Sequence, residues 1–175
     1  MTDETIHFFT PPRSFAPALG TMARAAFSDT FAHLYDPAPF LQFLEEAYGP
    51  GGKMERDFAD ASVRWQVAAA GDQPIGYAKL SPLVVPAPAP QAGARELQQI
   101  YVLRPWHGRG VADKLIVWAM EEARAQGAPE IYLAVFDHNT RAKRFYTRHG
   151  FSEVGHCTFR LGDRIDDDRI WRKHF

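Results

Sequence analysis

The chain of 175 residues has little of what marks several large protein classes. It holds a single cysteine, Cys157, which excludes an internal disulfide framework and a cysteine-rich zinc site. No apolar run reaches the roughly 18 residues that span a bilayer, so no membrane association is expected. Neither sign of charge dominates, because 20 Lys and Arg stand against 21 Asp and Glu for a net charge of −1. This balance argues against a nucleic-acid-binding surface.

Other signals are missing as well. The acidic start, Met1 to Glu4, has no apolar secretory core, so no signal peptide is predicted and a cytoplasmic location is expected. The seven histidines form no H-x-x-x-H pair, and Asp166 to Asp168 lack the spacing of an EF-hand. No metal site is therefore predicted. With 46% hydrophobic residues, the chain has the composition of a globular protein, and its length fits one domain, 1–175.

The apolar periodicity predicts alternating strands and helices, and hence an α/β fold with a mixed sheet. Four prolines, at 82, 86, 88 and 90, predict a stiff extended loop over 82–93. The predicted strands are 6–9, 63–70, 75–80, 94–102, 131–136, 151–161 and 169–172, and the predicted helices are 15–33, 37–48, 53–60, 110–126 and one that begins at Asn139.

The most informative segment is the turn between the strand ending at 102 and the helix that follows. Backbone N–H groups at the start of a helix have no helical partner, and together with the helix dipole they suit a pyrophosphate. Gly108 and Gly110 allow a ligand to approach the backbone closely, and Arg104 and Arg109 add positive charge. The plain alternative is that the glycines only form a turn.

Two better-known phosphate loops do not fit this segment. The P-loop ends in Gly-Lys-Ser/Thr, which is absent here. The dinucleotide fingerprint needs a third glycine at position 113, where an aspartate, Asp113, stands. Dinucleotide binding is therefore not expected.

Two motifs resemble those of the GNAT (Gcn5-related N-acetyltransferase) superfamily. The segment His107-Gly108-Arg109-Gly110-Val111-Ala112 is similar to the family's Gln/Arg-x-x-Gly-x-Gly/Ala loop, with His107 in place of Gln or Arg. The segment Asn139-x-x-Ala142-x-x-Phe145-Tyr146-x-x-x-Gly150-Phe151 is similar to its second cofactor motif. Segments 26–31, 75–80, 96–102 and 159–163 resemble a bacterial branch that includes spermidine/spermine N-acetyltransferases.

The resemblance implies the α/β GNAT fold, with a mixed, mostly antiparallel twisted sheet of about six to seven strands, flanking helices and a splayed central parallel pair. It also implies acetyl-CoA as cosubstrate, lying in the gap of that pair. The residues it assigns to CoA binding are Ile100, Tyr101, Val102, His107, Gly108, Arg109, Gly110, Val111, Ala112, Asn139, Arg141, Phe145 and Tyr146.

Two residues are candidates for the chemistry that the resemblance implies. Tyr146 is the candidate acid, since a phenol with a pKa near ~10 can protonate a departing thiolate; the alternative is a core aromatic. Glu96 is the candidate base, acting directly or through water; the alternative is a surface glutamate at a strand start. Cys157 has no evident His–Asp partner in the sequence, so a direct ternary-complex transfer is expected rather than an acyl-enzyme.

These features predict an N-acetyltransferase that moves the acetyl group of acetyl-CoA to a primary amine of a small molecule. The branch resemblance suggests a polyamine, whose positive charge Asp29, Asp36, Glu45 or Glu46 could meet. The alternatives are acetylation of a peptide N-terminus, a lysine or an amino acid, or a catalytically silent acyl-CoA-binding sensor. Because closing strands in this family often support dimers, a homodimer is left open.

Overall fold

A computed structural model describes residues 5–175. Seven strands within them form one sheet in the order β1-β2-β3-β4-β5-β7-β6. Neighbouring strands run antiparallel except for the parallel pair β4 and β5, which confirms the predicted mixed sheet. The strands are β1 (Ile6–Phe9), β2 (Arg64–Ala70), β3 (Gln73–Pro82), β4 (Arg95–Val102), β5 (Glu130–Phe136), β6 (Ser152–Leu161) and β7 (Arg164–His174).

Helices cover both faces of the sheet. The first three pack on one face and the last two on the other, so the strands contribute alternate side chains to two apolar clusters. On β2, for example, Val67 faces the first group of helices and Ala68 the second. The helices are α1 (Ala16–Phe31), α2 (Pro37–Tyr48), α3 (Lys53–Ala59), α4 (Val111–Ala125) and α5 (Thr140–Arg148).

The central parallel pair opens into a gap. Strands β4 and β5 are paired at two positions only, Arg95 with Ile131 and Glu96 with Tyr132. Beyond these, β4 follows β3 as far as Val102, while β5 follows β7 as far as Phe136. The two strands therefore diverge towards their carboxyl ends, and the splayed pair that the family resemblance implied is confirmed.

Two predicted element boundaries differ from those of the structure. The first helix ends at Phe31, and a separate 3₁₀ turn, Ala32–Leu34, follows it. The last strand was predicted over 169–172 but spans Arg164–His174. Its charged first half forms a strand because pairing with β6 satisfies its backbone, a long-range effect that local composition does not reveal.

None of the helices in 5–175 has the length and apolar character needed to cross a membrane. Among the same residues, no three His, Cys, Asp or Glu side chains gather where they could hold a metal ion. The signal-peptide prediction concerns Met1 to Glu4, which lie outside the described residues.

Candidate active site

The glycine turn has the geometry that an anion needs. Gly108 and Gly110 adopt φ values of +75° and +76°, a region that other residues rarely enter. Gly110 is the N-cap residue of α4, and it offers no side chain to bond the first N–H groups of the helix. A β-carbon built on either glycine meets no atom within 4 Å, so the space above these amides is open. The turn therefore fits a pyrophosphate, which would take up the N–H groups from Gly108 to Ala112.

His107 connects this turn to the start of α5. One of its ring nitrogens, Nε2, lies 2.7 Å from the carbonyl oxygen of Val102, and the other, Nδ1, lies 2.9 Å from a guanidinium nitrogen of Arg141. A guanidinium can only donate, so Nδ1 accepts and Nε2–H donates to Val102, which assigns the neutral tautomer. The histidine in place of Gln or Arg thus holds an arginine beside the glycine turn.

The helix α5 starts as predicted. Asn139 caps it by accepting a hydrogen bond from the N–H of Ala142 at 3.1 Å. The guanidinium of Arg141, the second residue of α5, is held by His107, while Arg109 stacks over the ring of Trp106 at 4.9 Å. Arg109 and Arg141, both exposed, are therefore each held by a neighbouring side chain of the turn region.

Tyr146 combines burial with an unengaged hydroxyl group. Its side chain is 8% exposed and packs between Phe145 and Phe151. Among the described residues, the hydroxyl has no hydrogen-bond partner, and its oxygen is not among the fully enclosed unpaired polar atoms. Burial raises the pKa of this phenol above its ordinary value. Tyr146 is thus a core aromatic whose hydroxyl remains available to a ligand as a proton donor.

The end of β4 presents both a backbone edge and a side chain to the gap. Past Glu96, the edge of β4 that faces β5 has no strand partner within residues 5–175. Ile100 and Val102 pack on the α4 side, whereas Tyr101 lies on the other face, with its ring 6.2 Å from that of Phe27. An extended chain bearing amide groups, such as pantetheine, can pair with a free strand edge of this kind.

Glu96 is not the surface glutamate that the sequence left as an alternative. It is 4% exposed, and its Oε2 accepts hydrogen bonds from the N–H groups of Val84 at 2.7 Å and Val85 at 2.9 Å. Burial raises the pKa of its carboxyl group even though these amides lower it. Glu96 lies opposite Tyr132, where β4 and β5 are still paired, and there it holds the proline-rich loop.

A second buried carboxylate holds the other end of that loop. Glu130 is fully buried, and its Oε1 accepts from the N–H of Gln91 at 2.8 Å and from the hydroxyl of Tyr132 at 2.7 Å. Between these two anchors, Leu83, Val85 and Ala87 pack against Tyr132 and Ile170. The loop therefore forms a fixed wall over the paired end of β4 and β5.

Strand β7 supplies carboxylates near the gap in addition to the four that the sequence offers for a cationic acceptor. Asp29, Asp36, Glu45 and Glu46 are all exposed, and Glu45 pairs with Arg24 at 3.0 Å. Strand β7 places Asp166, Asp168 and Ile170 together on the α1–α3 face, because alternate residues of a strand point to the same side. Asp166 accepts from the Tyr35 hydroxyl at 2.5 Å and from Arg164 Nε at 2.7 Å. The sequence signal for this shared face is the period of two along 166, 168 and 170, which a comparison with EF-hand spacing does not use.

Cys157 lies beside this carboxylate pair. It is opposite Asp168 in the β6–β7 register, and burial, followed by the charge of Asp168, raises the pKa of its thiol. A raised pKa keeps the thiol protonated at neutral pH, and a protonated thiol is a poor nucleophile.

Comparisons with known proteins agree with this geometry. The sequence profile of the acetyltransferase (GNAT) family matches residues 23–151. An uncharacterized N-acetyltransferase of Lactobacillus delbrueckii subsp. lactis is 26% identical over 157 residues, which cover 90% of each chain. The aminoalkylphosphonate N-acetyltransferase of Salmonella typhimurium is 38% identical over 58 residues, or 33% of this chain and 38% of that protein.

The fold likeness extends over the whole chain. The structure of the PaiA N-acetyltransferase from Thermoplasma acidophilum, in complex with coenzyme A, superposes with a TM-score of 0.79. The two proteins are 19% identical, and the superposition covers 98% of this chain and 99% of the other. The matched profile runs from α1 to the end of the second cofactor motif, and the chain therefore belongs to the GNAT family of acetyl-CoA-dependent acetyltransferases.

Proposed function

We propose that this chain is an N-acetyltransferase, a single domain over 1–175, that moves the acetyl group of acetyl-CoA directly to a primary amine of a small molecule. The observation that carries the proposal is the gap between β4 and β5. An open amide turn lies at one end, and its α1–α3 face carries phenols and carboxylates. The anionic donor would thus approach the gap from the amide turn, and the cationic acceptor from the face that carries the carboxylates. Each surface is complementary in charge to its ligand.

The donor would be held mainly by backbone. The N–H groups of the turn take the pyrophosphate, and Arg141, fixed by His107, adds positive charge. The free edge of β4 from Ile100 to Val102 takes the pantetheine arm and polarises the thioester carbonyl. The other side of the pantetheine arm would be lined by Asn139, the N-cap of α5, and by Phe145 and Tyr146 within that helix.

Tyr146 would act as the general acid. As the C–S bond breaks, its hydroxyl donates a proton to the CoA thiolate. The absence of a competing partner for this hydroxyl among the described residues supports the assignment, and so does its place on α5 beside the cofactor motif. A direct transfer agrees with the protonated state that burial favours for Cys157.

A small acceptor is supported by the way the β6–β7 hairpin meets the turn between α1 and α2. Arg164 donates to the carbonyl oxygen of Leu34 at 2.9 Å, and Tyr35 donates to Asp166. At the hairpin tip, a β-carbon on Gly162 would come within 2.8 Å of Pro39. These contacts close one end of the α1–α3 face, which disfavours an extended peptide more than a compact amine.

The carboxylates of β7 favour a polycationic amine, in line with the resemblance to spermidine/spermine N-acetyltransferases. An aminoalkylphosphonate, the substrate class named for the Salmonella relative, carries an anionic group that these carboxylates would repel. The competing proposals are acetylation of a peptide N-terminus, a lysine or an amino acid, and a silent acyl-CoA sensor. A homodimer remains a prediction that size-exclusion chromatography with light scattering would test.

The deciding experiment is the release of CoA thiol from acetyl-CoA in the presence of single amines. The panel contains spermidine, spermine, lysine, an aminoglycoside, an aminoalkylphosphonate and a short peptide with a free N-terminus. Preferred turnover of a polyamine supports the proposal, and preferred turnover of the peptide supports the first rival. Acetyl-CoA binding by calorimetry without thiol release on any amine would identify a sensor.

A further inference from the structure

Building on the proposed function, we propose that Asp168 on β7 is the catalytic base that takes the proton from the ammonium group of the acceptor. Glu96, the base that the family resemblance implied, would instead be a structural anchor for the proline-rich loop. The assignment depends on where each carboxylate lies along the diverging strands and on what already occupies its oxygens.

Asp168 lies where the gap is open. Its register partner on β5 is Phe136, the last residue of that strand, whereas β4 and β5 pair only near Ile131 and Tyr132. Asp168 shares the α1–α3 face with Ile170, which packs against Tyr132, because alternate residues of a strand point to the same side. The carboxylate is therefore located on the acceptor side of the open end.

Tyr101 interacts through charge with both Asp168 and the candidate acid Tyr146. The pKa of Tyr101 is raised chiefly by burial, and further by the charges of Tyr48, Tyr146 and Asp168. Tyr101, on the splayed end of β4, is therefore within electrostatic range of both the proposed base and the proposed acid. The charge of Asp168 also acts on Tyr35 in the turn between α1 and α2.

The carboxylate of Asp168 is unengaged, unlike that of Asp166 two residues earlier on the same face. Over residues 5–175, no hydrogen bond or ion pair involves it, whereas Asp166 holds Tyr35 and Arg164. The oxygens of a base must be available to the substrate, and those of Asp168 are. Glu96, in contrast, has one oxygen bonded to two backbone amides at the closed end of the gap.

The surroundings of Asp168 also bring its pKa closer to neutral, where a general base works best. Burial, followed by the charges of Asp166 and Asp167, raises its pKa from 3.8 to about 6. A base poised near neutral pH removes a proton from an ammonium group more readily than an ordinary carboxylate does. The titratable groups that interact with it through charge are Asp166 and Asp167 on β7, Cys157 on β6, Tyr101 on β4 and Tyr35 in the turn between α1 and α2.

The Asp168 carboxylate takes one proton from R–NH₃⁺ and passes it to solvent, and the neutral nitrogen attacks the thioester carbon to form the C–N bond. The C–S bond then breaks, the Tyr146 hydroxyl protonates the thiolate, and the phenolate recovers the second proton from the nitrogen. The products are R–NH–acetyl, CoA thiol and one released proton.

The test measures kcat/KM for the best amine of the panel, by CoA thiol release, from pH 5.5 to 9.5 in wild type and in Asp168→Asn. At pH 7 the variant should be about 10²- to 10⁴-fold slower, the range typical of a lost general base. The deficit should shrink about tenfold per pH unit as solution supplies the neutral amine, and the KM for acetyl-CoA should not change. A deficit below threefold, or one equal at every pH, would overturn the proposal.

Two further variants serve as a control and as an alternative test. Asp163→Asn removes an exposed aspartate from the turn of the same hairpin and should retain the wild-type profile. If the Asn variant fails to fold, Asp168→Glu decides: a displaced acidic limb supports the proposal, and an unchanged limb overturns it. Failure of the proposed function would be seen earlier and separately, as a wild type that releases no thiol with any amine.

Discussion

A hydrogen bond of 2.9 Å from the Arg141 guanidinium to Nδ1 of His107 joins the two segments that resemble the family's cofactor motifs. It connects a residue just before the glycine turn to the first turn of α5, 34 positions later in the sequence. The same histidine is bonded through Nε2 to Val102 on β4, so one side chain connects three elements around the gap. The departure from the usual Gln or Arg therefore serves a positioning role.

Replacing His107 should weaken acetyl-CoA binding without slowing the chemistry. In His107→Ala, Arg141 loses its partner and its fixed orientation. We expect the KM for acetyl-CoA to rise about 3- to 30-fold, equivalent to one or two hydrogen bonds of about 1 kcal/mol each, while kcat stays within twofold. His156→Ala, on the exposed face of β6, is the control and should leave KM unchanged. A fall in kcat with constant KM would contradict this role.

The glycine turn offers a test with a closely matched control. Gly110 and Gly71 both have positive φ, at +76° and +55°, and a β-carbon on either meets no atom within 4 Å. Alanine at each site should cost about 1–2 kcal/mol of folding free energy through the left-handed backbone alone. Only Gly110→Ala places a methyl group above the amides of α4, so only it should raise the KM for acetyl-CoA, by tenfold or more. Equal KM values in the two variants would argue against pyrophosphate binding at this turn.

Removing the hydroxyl of Tyr146 should separate turnover from binding. Because no group among the described residues bonds this hydroxyl, Tyr146→Phe should unfold at nearly the wild-type temperature. Loss of a general acid should reduce kcat about 10²-fold, with an unchanged Kd for CoA by calorimetry. Tyr132→Phe is the contrasting variant: it loses a hydrogen bond to Glu130 and about 1 kcal/mol of stability, and it should keep its turnover. Wild-type kcat in Tyr146→Phe would refute the acid role.

Local patterns predicted the parts of this molecule that depend on local chemistry. The glycines at 108 and 110, the cap at Asn139 and the buried side of α5 all follow from what consecutive residues can do. The state of Glu96 was not predictable, because it depends on a proline-rich loop that folds back over its strand. Asp168 was missed for a related reason, since only the placement of β7 between β5 and β6 brings it beside the gap.

Variants of Glu96 should separate an anchor from a base. Glu96→Ala leaves the N–H groups of Val84 and Val85 without their acceptor, and the loss of each hydrogen bond costs about 1–3 kcal/mol. Glu96→Gln keeps an oxygen in place, so it should be more stable than the alanine variant and retain turnover within a few-fold of wild type. Measurements of thermal unfolding and kcat on both variants decide the question. A glutamine variant that is well folded but more than 10²-fold slower would restore Glu96 as the base.

Neutralising Asp168 should stabilise the fold even as it removes activity. The folded-state pKa of Asp168, about 6, lies above its ordinary value of 3.8, so its charged form is disfavoured by folding. Its contribution to stability is greatest below pH 4 and is lost as the pH rises through 6. Because solvent screens this partly exposed carboxylate, the loss should amount to about 1–2 kcal/mol at pH 8. Asp168→Asn carries no such penalty, so it should unfold at a higher denaturant concentration than wild type at pH 8. The difference should vanish near pH 4. Equal unfolding midpoints of wild type and variant at both pH values would show that the carboxylate is well solvated. Its pKa would then not be raised towards neutral by burial.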